Sequence, residues 1–416
     1  MMPTKFAALL LQILHQDPAR PDPGILAGFT PEEWAELIAE ASRYRLAFQL
    51  RDYLKAHPDL AERVPAAGLL GLDDTIRETM NHNFCKQMQL EEMLSACAAA
   101  VIPCLVMKGL WLVETVYRDL KARHSGDIDL LVRPEDMPRF TRLVQTQGFK
   151  VPRDIGDIRE ITAANHEFSL FHPGTGAGFD LHWSLTHPLE EAPVDDDKFW
   201  QGSEIFTLGD QPCRSLGLED HLLLLCFHAT LHHRFQYVGP RALVDIARVI
   251  EQPPRAIDWE HFLERARELG WSRGIWLILD LVREHLGVQP PAGVLDELRP
   301  ADADDPAIRA AALAAMFLDQ GGGQALDHHL VRLVSAATWR ESLVILRGRL
   351  FPPRRFIASY FGVKIDHPGL TWLYVKRWGM LLKRVTPGLF QLWSGDAPRQ
   401  AELERSSIIA AWLRQP

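Results

Sequence analysis

The sequence predicts an α+β protein, a small mixed sheet flanked by helices, with helical regions before and after it. Three observations carry that reading. Asp127-Ile128-Asp129-Leu130-Leu131-Val132 is a strand-like run with embedded carboxylates. Val101-Ile102-Pro103-Cys104-Leu105-Val106-Met107 is an apolar run that stops at Lys108-Gly109, and Gly178-Phe179-Asp180-Leu181-His182-Trp183 is a third strand-like piece. Most of the remaining chain carries the spacing of helices.

Taken in order, the first hundred residues read as helical. Phe6 to Leu14 is apolar but too short to span a bilayer, and no cleavage site of small residues follows, so it reads as an amphipathic helix rather than a signal. Thr30-Pro31-Glu32-Glu33 is a helix start, with Thr30 as N-cap, Pro31 at the first helical position and Glu33 three residues on. Trp34, Leu37, Ile38 and Ala41 follow at helical spacing, and Pro58 and Pro65 punctuate what comes next. A long helix from Asp73 to Ala100 leads into the Val101 strand, and Leu110 to Tyr117 reads as a helix after Gly109. After Val132, Arg133-Pro134-Glu135-Asp136 opens a helix through Val144 that Gly148 closes. Phe149-Lys150-Val151 reads as a short strand and Glu167 to Phe171 as another. Gly174 to Gly178 is a hairpin turn that pairs the latter antiparallel with the Asp180 strand.

From Gly217 the pattern turns helical again and continues through Trp259 to Leu286. Pro290-Pro291 breaks it, Asp302 to Pro306 reads as an exposed linker, and Gly321-Gly322-Gly323 reads as a flexible joint without the lysine and setting of a P-loop. These breaks give four regions. They are a helical region at 1–72, the sheet-bearing core at 73–215, a helical domain at 216–300, and a basic, aromatic-rich helical region at 301–416.

Side chains on a strand alternate faces, so Asp127 and Asp129 point the same way. Two carboxylates side by side on a mostly buried strand repel each other unless a cation sits between them, and a divalent metal is the usual solution. Asp180 brings a further carboxylate on another strand. The succession of strand, Lys108-Gly109 and helix presents backbone N–H groups to an anion. His221, His228 and His232 share one face of the helix after Gly217, and 228 and 232 have metal-compatible spacing. With no acid between them and no third ligand in the local sequence, they do not read as a zinc site. Arg241 and Asp245 are expected to pair with each other. Glu190, Glu191 and Asp195 to Asp197 read as a solvated acidic loop.

Lys108-Gly109 before a helix, then Tyr117, Arg123, Gly126-Asp127-Ile128-Asp129-Leu130-Leu131-Val132 and Phe179-Asp180-Leu181-His182-Trp183, resembles the uncharacterised bacterial nucleotidyltransferase family of the DNA polymerase β-like superfamily. The resemblance is strongest over residues 100 to 185. It continues loosely toward residue 290 through Asp258-Trp259 and Ala266-Arg267-Glu268-Leu269-Gly270. It implies a polymerase β-like core and metal-dependent transfer of an NMP from an NTP such as ATP to a hydroxyl-bearing acceptor, with release of pyrophosphate. The acceptor would be a small molecule, a sugar or a protein. Residue by residue, the resemblance implies Mg²⁺ or Mn²⁺ held by Asp127, Asp129 and Asp180, which are also the catalytic carboxylates. It implies nucleotide contacts from Lys108, Gly109, Arg123, Ser125 and Gly126, and an acceptor pocket lined by His182, His228 and His232. Much of the wider superfamily carries Gly-Ser or Gly-Gly at the triphosphate turn. This chain has Gly109-Leu110, so that turn offers no hydroxyl. The departure motivates an alternative reading, a catalytically weak nucleotide- or partner-binding regulatory protein that retains the fold.

Composition narrows the classes further. A chain of 416 residues with 47% apolar content can bury two or three sizeable cores. A formal net charge of −9 supplies no global basic field for nucleic acid. Five cysteines without Cys-x-x-Cys spacing argue against a disulfide framework and a cysteine zinc site, and point to a cytoplasmic protein. From Val331 to Val385 there are eleven Lys or Arg against two acids, interleaved with aromatics such as Trp339, Phe356, Tyr360, Trp372 and Trp378. Such a segment is able to meet an anionic membrane surface or to form a nucleic-acid groove, although a solvated basic face is the simpler reading. No apolar run is long enough for a transmembrane helix.

Overall fold

Six strands form one mixed sheet. They are β1 (Cys104–Met107), β2 (Ile128–Val132), β3 (Glu167–Phe171), β4 (Gly178–His182), β5 (Glu204–Leu208) and β6 (Gln211–Ser215), in the order β3-β4-β2-β1-β6-β5. The structure is a computed structural model. It describes residues 4–151 except 18, 19 and 22; 166–187; 194–317 except 237; and 346–415 except 348, 349, 353, 362, 365 and 394–396. The expected Gly321 to Gly323 joint, Glu190, Glu191 and the first part of the basic segment, with Arg332 and Arg340, lie outside the described residues.

β1 is buried throughout and pairs antiparallel with β2, which puts Met107 opposite Asp129. β3 and β4 form the expected antiparallel hairpin. β2, however, pairs with β4 in parallel, so Asp129 lies directly opposite Asp180. The parallel pair needs a crossover, and the Met137–Thr146 helix sits in that connection. Two further differences concern short strands. Phe149 to Val151 contributes only a single bridge, Lys150 to Phe171, rather than a strand. β5 and β6, joined at Gly209-Asp210, were not expected, because Pro212 and the polar residues of Gln211–Ser215 lack strand character. The Gly-Asp turn between them, with Gly209 at φ +55°, was the signal available.

The helices follow their sequence cues closely. Thr30 Oγ1 accepts from the Glu33 N–H at 3.3 Å and Glu33 Oε2 accepts from the Thr30 N–H at 3.1 Å, closing the capping box of the Pro31–Arg43 helix. The long helix runs Ala66–Ala99, a turn or two earlier than its expected start. Phe6, Trp34, Leu37, Leu50 and Leu54 gather in a core of N-terminal helices. A larger continuous core joins the sheet to the Leu218–Phe227, Arg241–Glu251, Trp259–Glu268, Ser272–Leu286 and Pro306–Met316 helices. Ile409 and Trp412, from the Ala397–Leu413 helix, pack into that same core. The stretch from Asp302 to Pro306 is exposed at Asp304, Asp305 and Pro306, as expected, but it is tied to the fold. Ala303 is fully buried, Asp302 is bound by Arg273, and Asp305 caps the next helix. No helix among the described residues is long and apolar enough to cross a membrane, and all five cysteines are free thiols.

One residue of the long helix holds the loop that leads into β2. Asn83 is fully buried; its amide donates to Leu120 O (2.6 Å) and Arg123 O (2.7 Å), and its Oδ1 accepts from the Ser125 N–H (2.9 Å). His82, beside it, meets Ser125 O at 2.8 Å. Loss of the Asn83 amide strands two carbonyls and one N–H inside the protein. Asn83→Ala is expected to lower stability by about 3 kcal/mol in urea denaturation, well above a surface Asn→Ala control.

Candidate functional site

A cavity of about 490 Å³ opens beside β2 and β4. Its lining includes Asp127, Asp129, Asp180, Lys108, Gly109, Gly126 and Arg123, together with His182, His228 and His232. Ten of the eleven residues singled out in the sequence therefore meet at one place. The eleventh, Ser125, is fully buried just behind it, with a hydroxyl that has no hydrogen-bond partner among the described residues. A Cβ at position 109 would overlap that hydroxyl, so glycine is required there for backbone clearance.

Asp129 is the electrostatic centre. Lys108 Nζ lies 3.0 Å from its Oδ1, and His182 Nε2 lies 3.1 Å from the same oxygen. Burial alone would raise its pKa, but Lys108 and then His182 outweigh burial and hold it at about 2. Asp127 goes the other way. Burial first, then Asp180 and Asp129, push its carboxyl above the usual range. Asp180 accepts a 2.6 Å hydrogen bond from Ser169 at Oδ1. Three acids thus converge, against the Lys108 ammonium at Asp129 and the charges of Lys86 and Lys108 felt at Asp127. That surplus of negative charge, in a donor set made of oxygen atoms, fits a divalent cation. The carboxylates are nevertheless not drawn into tight coordination. Among the described residues, the set of three donors lying within 4.8 Å of one another is His166, Glu167 and His182.

The lysine is held in an unusual backbone conformation, φ +53° and ψ −110°. Its N–H donates to His221 Nε2 at 3.3 Å, and His221 Nδ1 donates to Leu216 O at 3.2 Å. That chain fixes the tautomer of His221. Burial lowers its pKa to about 3, so the ring is neutral, and it stacks on Trp111 with centroids 3.7 Å apart. His221 therefore supports the Lys108 turn from behind.

Arg123 is buried and committed. Nε and Nη2 form a bidentate pair with Asp245 at 2.9 and 3.0 Å, and Nη1 donates to Gly109 O at 3.2 Å. Tyr117 donates to the same aspartate at 2.8 Å. The expected Arg241–Asp245 pair is therefore replaced by Arg123–Asp245, because the Tyr117 and Arg123 side chains reach Asp245 from the other wall. Arg241 lines the cavity, donates to His124 O at 2.9 Å and makes no ion pair among the described residues. Burial, then Arg123, lower its pKa to about 10, which leaves it cationic at neutral pH.

The helical wall is wound unusually. Leu112–Tyr117 and His228–His232 are both π-helical, and such turns are frequent at functional sites. In an α-helix His233 would point away from His228. Here the His233 N–H bonds His228 O at 3.0 Å and the two rings meet Nε2 to Nε2 at 3.1 Å. Spacing rules built on 3.6 residues per turn could not find His233. They also could not find His166 and Glu167, whose place at the cavity depends on the β3–β4 pairing.

A family model described as an uncharacterised nucleotidyltransferase matches residues 30–287. The chain belongs to that family. No curated protein and no solved structure matches it. Membership gives this nucleotidyltransferase its general class of activity, and the six-stranded mixed sheet with surrounding helices is consistent with such a fold. The match ends at residue 287, one residue past the Ser272–Leu286 helix, so it spans the helices from Pro31 onward, the sheet and the helical wall of the cavity.

Two stability measurements follow from this geometry. Asp245→Asn leaves a buried guanidinium without its counter-charge and is expected to cost about 3–5 kcal/mol in urea denaturation. Asp127→Asn acts in the opposite direction. A carboxyl whose folded pKa is raised destabilises the fold once pH exceeds that pKa, and the penalty fades as pH falls through it. The melting temperature of metal-free Asp127→Asn should exceed that of the parent at pH 7, with the gain vanishing below the ordinary carboxylate range.

Proposed function

We propose that this nucleotidyltransferase moves an NMP from an NTP to a hydroxyl-bearing acceptor with release of pyrophosphate, using Mg²⁺ or Mn²⁺ held by Asp127, Asp129 and Asp180. The observation that supports this most directly is the meeting of these three carboxylates at one cavity, with Asp129 opposite Asp180 across the parallel β2–β4 pair. When bound, two such ions stabilise both the attacking and the leaving oxygens of an in-line displacement.

The chain's own groups supply the rest of the chemistry. Asp180 keeps Oδ2 for a ligand because Ser169 uses Oδ1, and it is the proposed acceptor of the hydroxyl proton. Lys108 neutralises Asp129 in the present structure. A metal at Asp129 would release its ammonium for the triphosphate. Arg241 is the second proposed phosphate contact, since its guanidinium faces the cavity without a carboxylate partner among the described residues. Arg123 acts by positioning, through the Gly109 carbonyl. His228, its pKa far below the usual range through burial and nearby Lys108, presents a neutral ring to the acceptor side, next to His232.

Thermal-shift titrations with ATP, GTP, CTP and UTP, each with and without Mg²⁺ or Mn²⁺, name the donor, because a ligand that binds only the folded state raises the melting temperature. One nucleotide should give a metal-dependent shift in the parent and none in Asp127→Asn/Asp129→Asn. Radiolabelled transfer should fall at least about a thousandfold in Asp180→Asn. Arg241→Ala should raise the nucleotide KM more than it lowers kcat. Nucleotide binding without any transfer to small-molecule, sugar or protein acceptors would instead favour a regulatory protein that keeps the fold.

A further inference from the structure

The β3–β4 hairpin carries a second group of ligating atoms that the aspartate site does not use. We propose that His166, Glu167 and His182 form a binding site for a divalent transition-metal ion, best matched by zinc, that is separate from the aspartate site and joined to it through Asp129. The inference goes beyond nucleotidyl transfer and does not depend on it.

The donor atoms already converge. Glu167 Oε2 lies 3.1 Å from His182 Nδ1 and 3.7 Å from His166 Nε2, and one donor from each residue falls within 4.8 Å of the others. Ligand atoms around a tetrahedral zinc with bonds of about 2.0–2.2 Å are separated by roughly 3.2–3.6 Å, so these spacings bracket the required geometry. Two imidazoles and one carboxylate, with a fourth position open to the cavity, are the donor set of an exchangeable zinc site. Magnesium and calcium prefer oxygen ligands alone, which separates this set from the three aspartates.

Three further features point the same way. His182 offers Nδ1 toward Glu167, while its Nε2 lies 3.1 Å from Asp129 Oδ1. Metal-bound histidines commonly donate their second ring N–H to a carboxylate, which fixes ring and tautomer. His166 is buried at 7% exposure, its Nδ1 has no hydrogen-bond partner among the described residues, and its Nε2 is beyond hydrogen-bond reach of Glu167. Nε2, the atom that faces Glu167, makes no hydrogen bond among the described residues and is available to a metal. Finally, the backbone is fixed beforehand. Glu167 and His182 are cross-strand partners, and His166 O accepts from the Trp183 N–H at 2.9 Å. Lys108, whose charge is felt at both His166 and Glu167, is engaged by Asp129.

The full chain, stripped with a chelator, is titrated with Zn²⁺ by calorimetry and with Co²⁺ by visible spectroscopy. The expected result is one tight equivalent of zinc and the intense visible absorption of tetrahedral cobalt. His166→Ala and Glu167→Gln should each weaken zinc binding more than about tenfold, and Asp129→Asn should do so through the His182 ring. Asp180→Asn and His228→Ala should leave zinc affinity unchanged. Since Asp180→Asn removes transfer and spares zinc, failure of the zinc site and failure of the transferase reading remain distinguishable. Circular dichroism shows which variants fold, and the near-isosteric Glu167→Gln decides if His166→Ala does not. Zinc binding unaffected by Glu167→Gln, or lost with His228→Ala and retained in His166→Ala, overturns the proposal.

Discussion

Asp129 is the point on which the cavity is organised. It sits on a central strand, with β1 on one side and β4 on the other, and both neighbours answer its charge. β1 delivers Lys108 from its end, and β4 delivers His182. A carboxylate so deeply placed is stable only while both remain, because an unpaired buried charge is among the most damaging features a fold can contain. The strained turn at Lys108, the His221 prop beneath it and the glycine that follows are consequences of bringing that one ammonium to that one oxygen.

A second electrostatic joint lies on the opposite wall. Arg123 ties the loop before β2 to the Arg241–Glu251 helix through Asp245, and Tyr117 adds a third hydrogen bond to the same carboxylate. The two joints divide the work. One holds charge at the cavity floor beside β2 and β4, and the other holds the helical wall at a fixed distance from it. Their chemistry differs accordingly: Arg123 spends its donors on protein acceptors, whereas Lys108 is a point charge on a flexible stem that is able to change partners.

Much of this was legible in the sequence. Asp127, Asp129 and Asp180 announced themselves as charges embedded in apolar strands, Thr30 to Glu33 spelled out a helix start, and Lys108-Gly109 marked the turn. What remained hidden has physical reasons. The parallel pairing of β2 and β4 depends on a crossover that no local pattern encodes. Arg123 and Asp245 are 122 positions apart, and neither carries a mark naming the other. His233 reaches the cavity only because the helix is overwide there, and His166 and Glu167 only because a hairpin register places them beside His182. Periodicity reports which face a residue takes on an ideal element, and these residues sit where the element is not ideal or where two elements meet.

The distance in sequence between Arg123 and Asp245 also bears on how the chain matures during synthesis. The strands that carry the aspartates leave the ribosome well before the Arg241–Glu251 helix exists. Until that helix arrives, the guanidinium has no counter-charge and the apolar side of the sheet has no cover. A nascent chain halted near residue 215 would therefore hold its acidic face and its greasy face open together. In such an intermediate the apolar side of the sheet stays open until the later helices cover it.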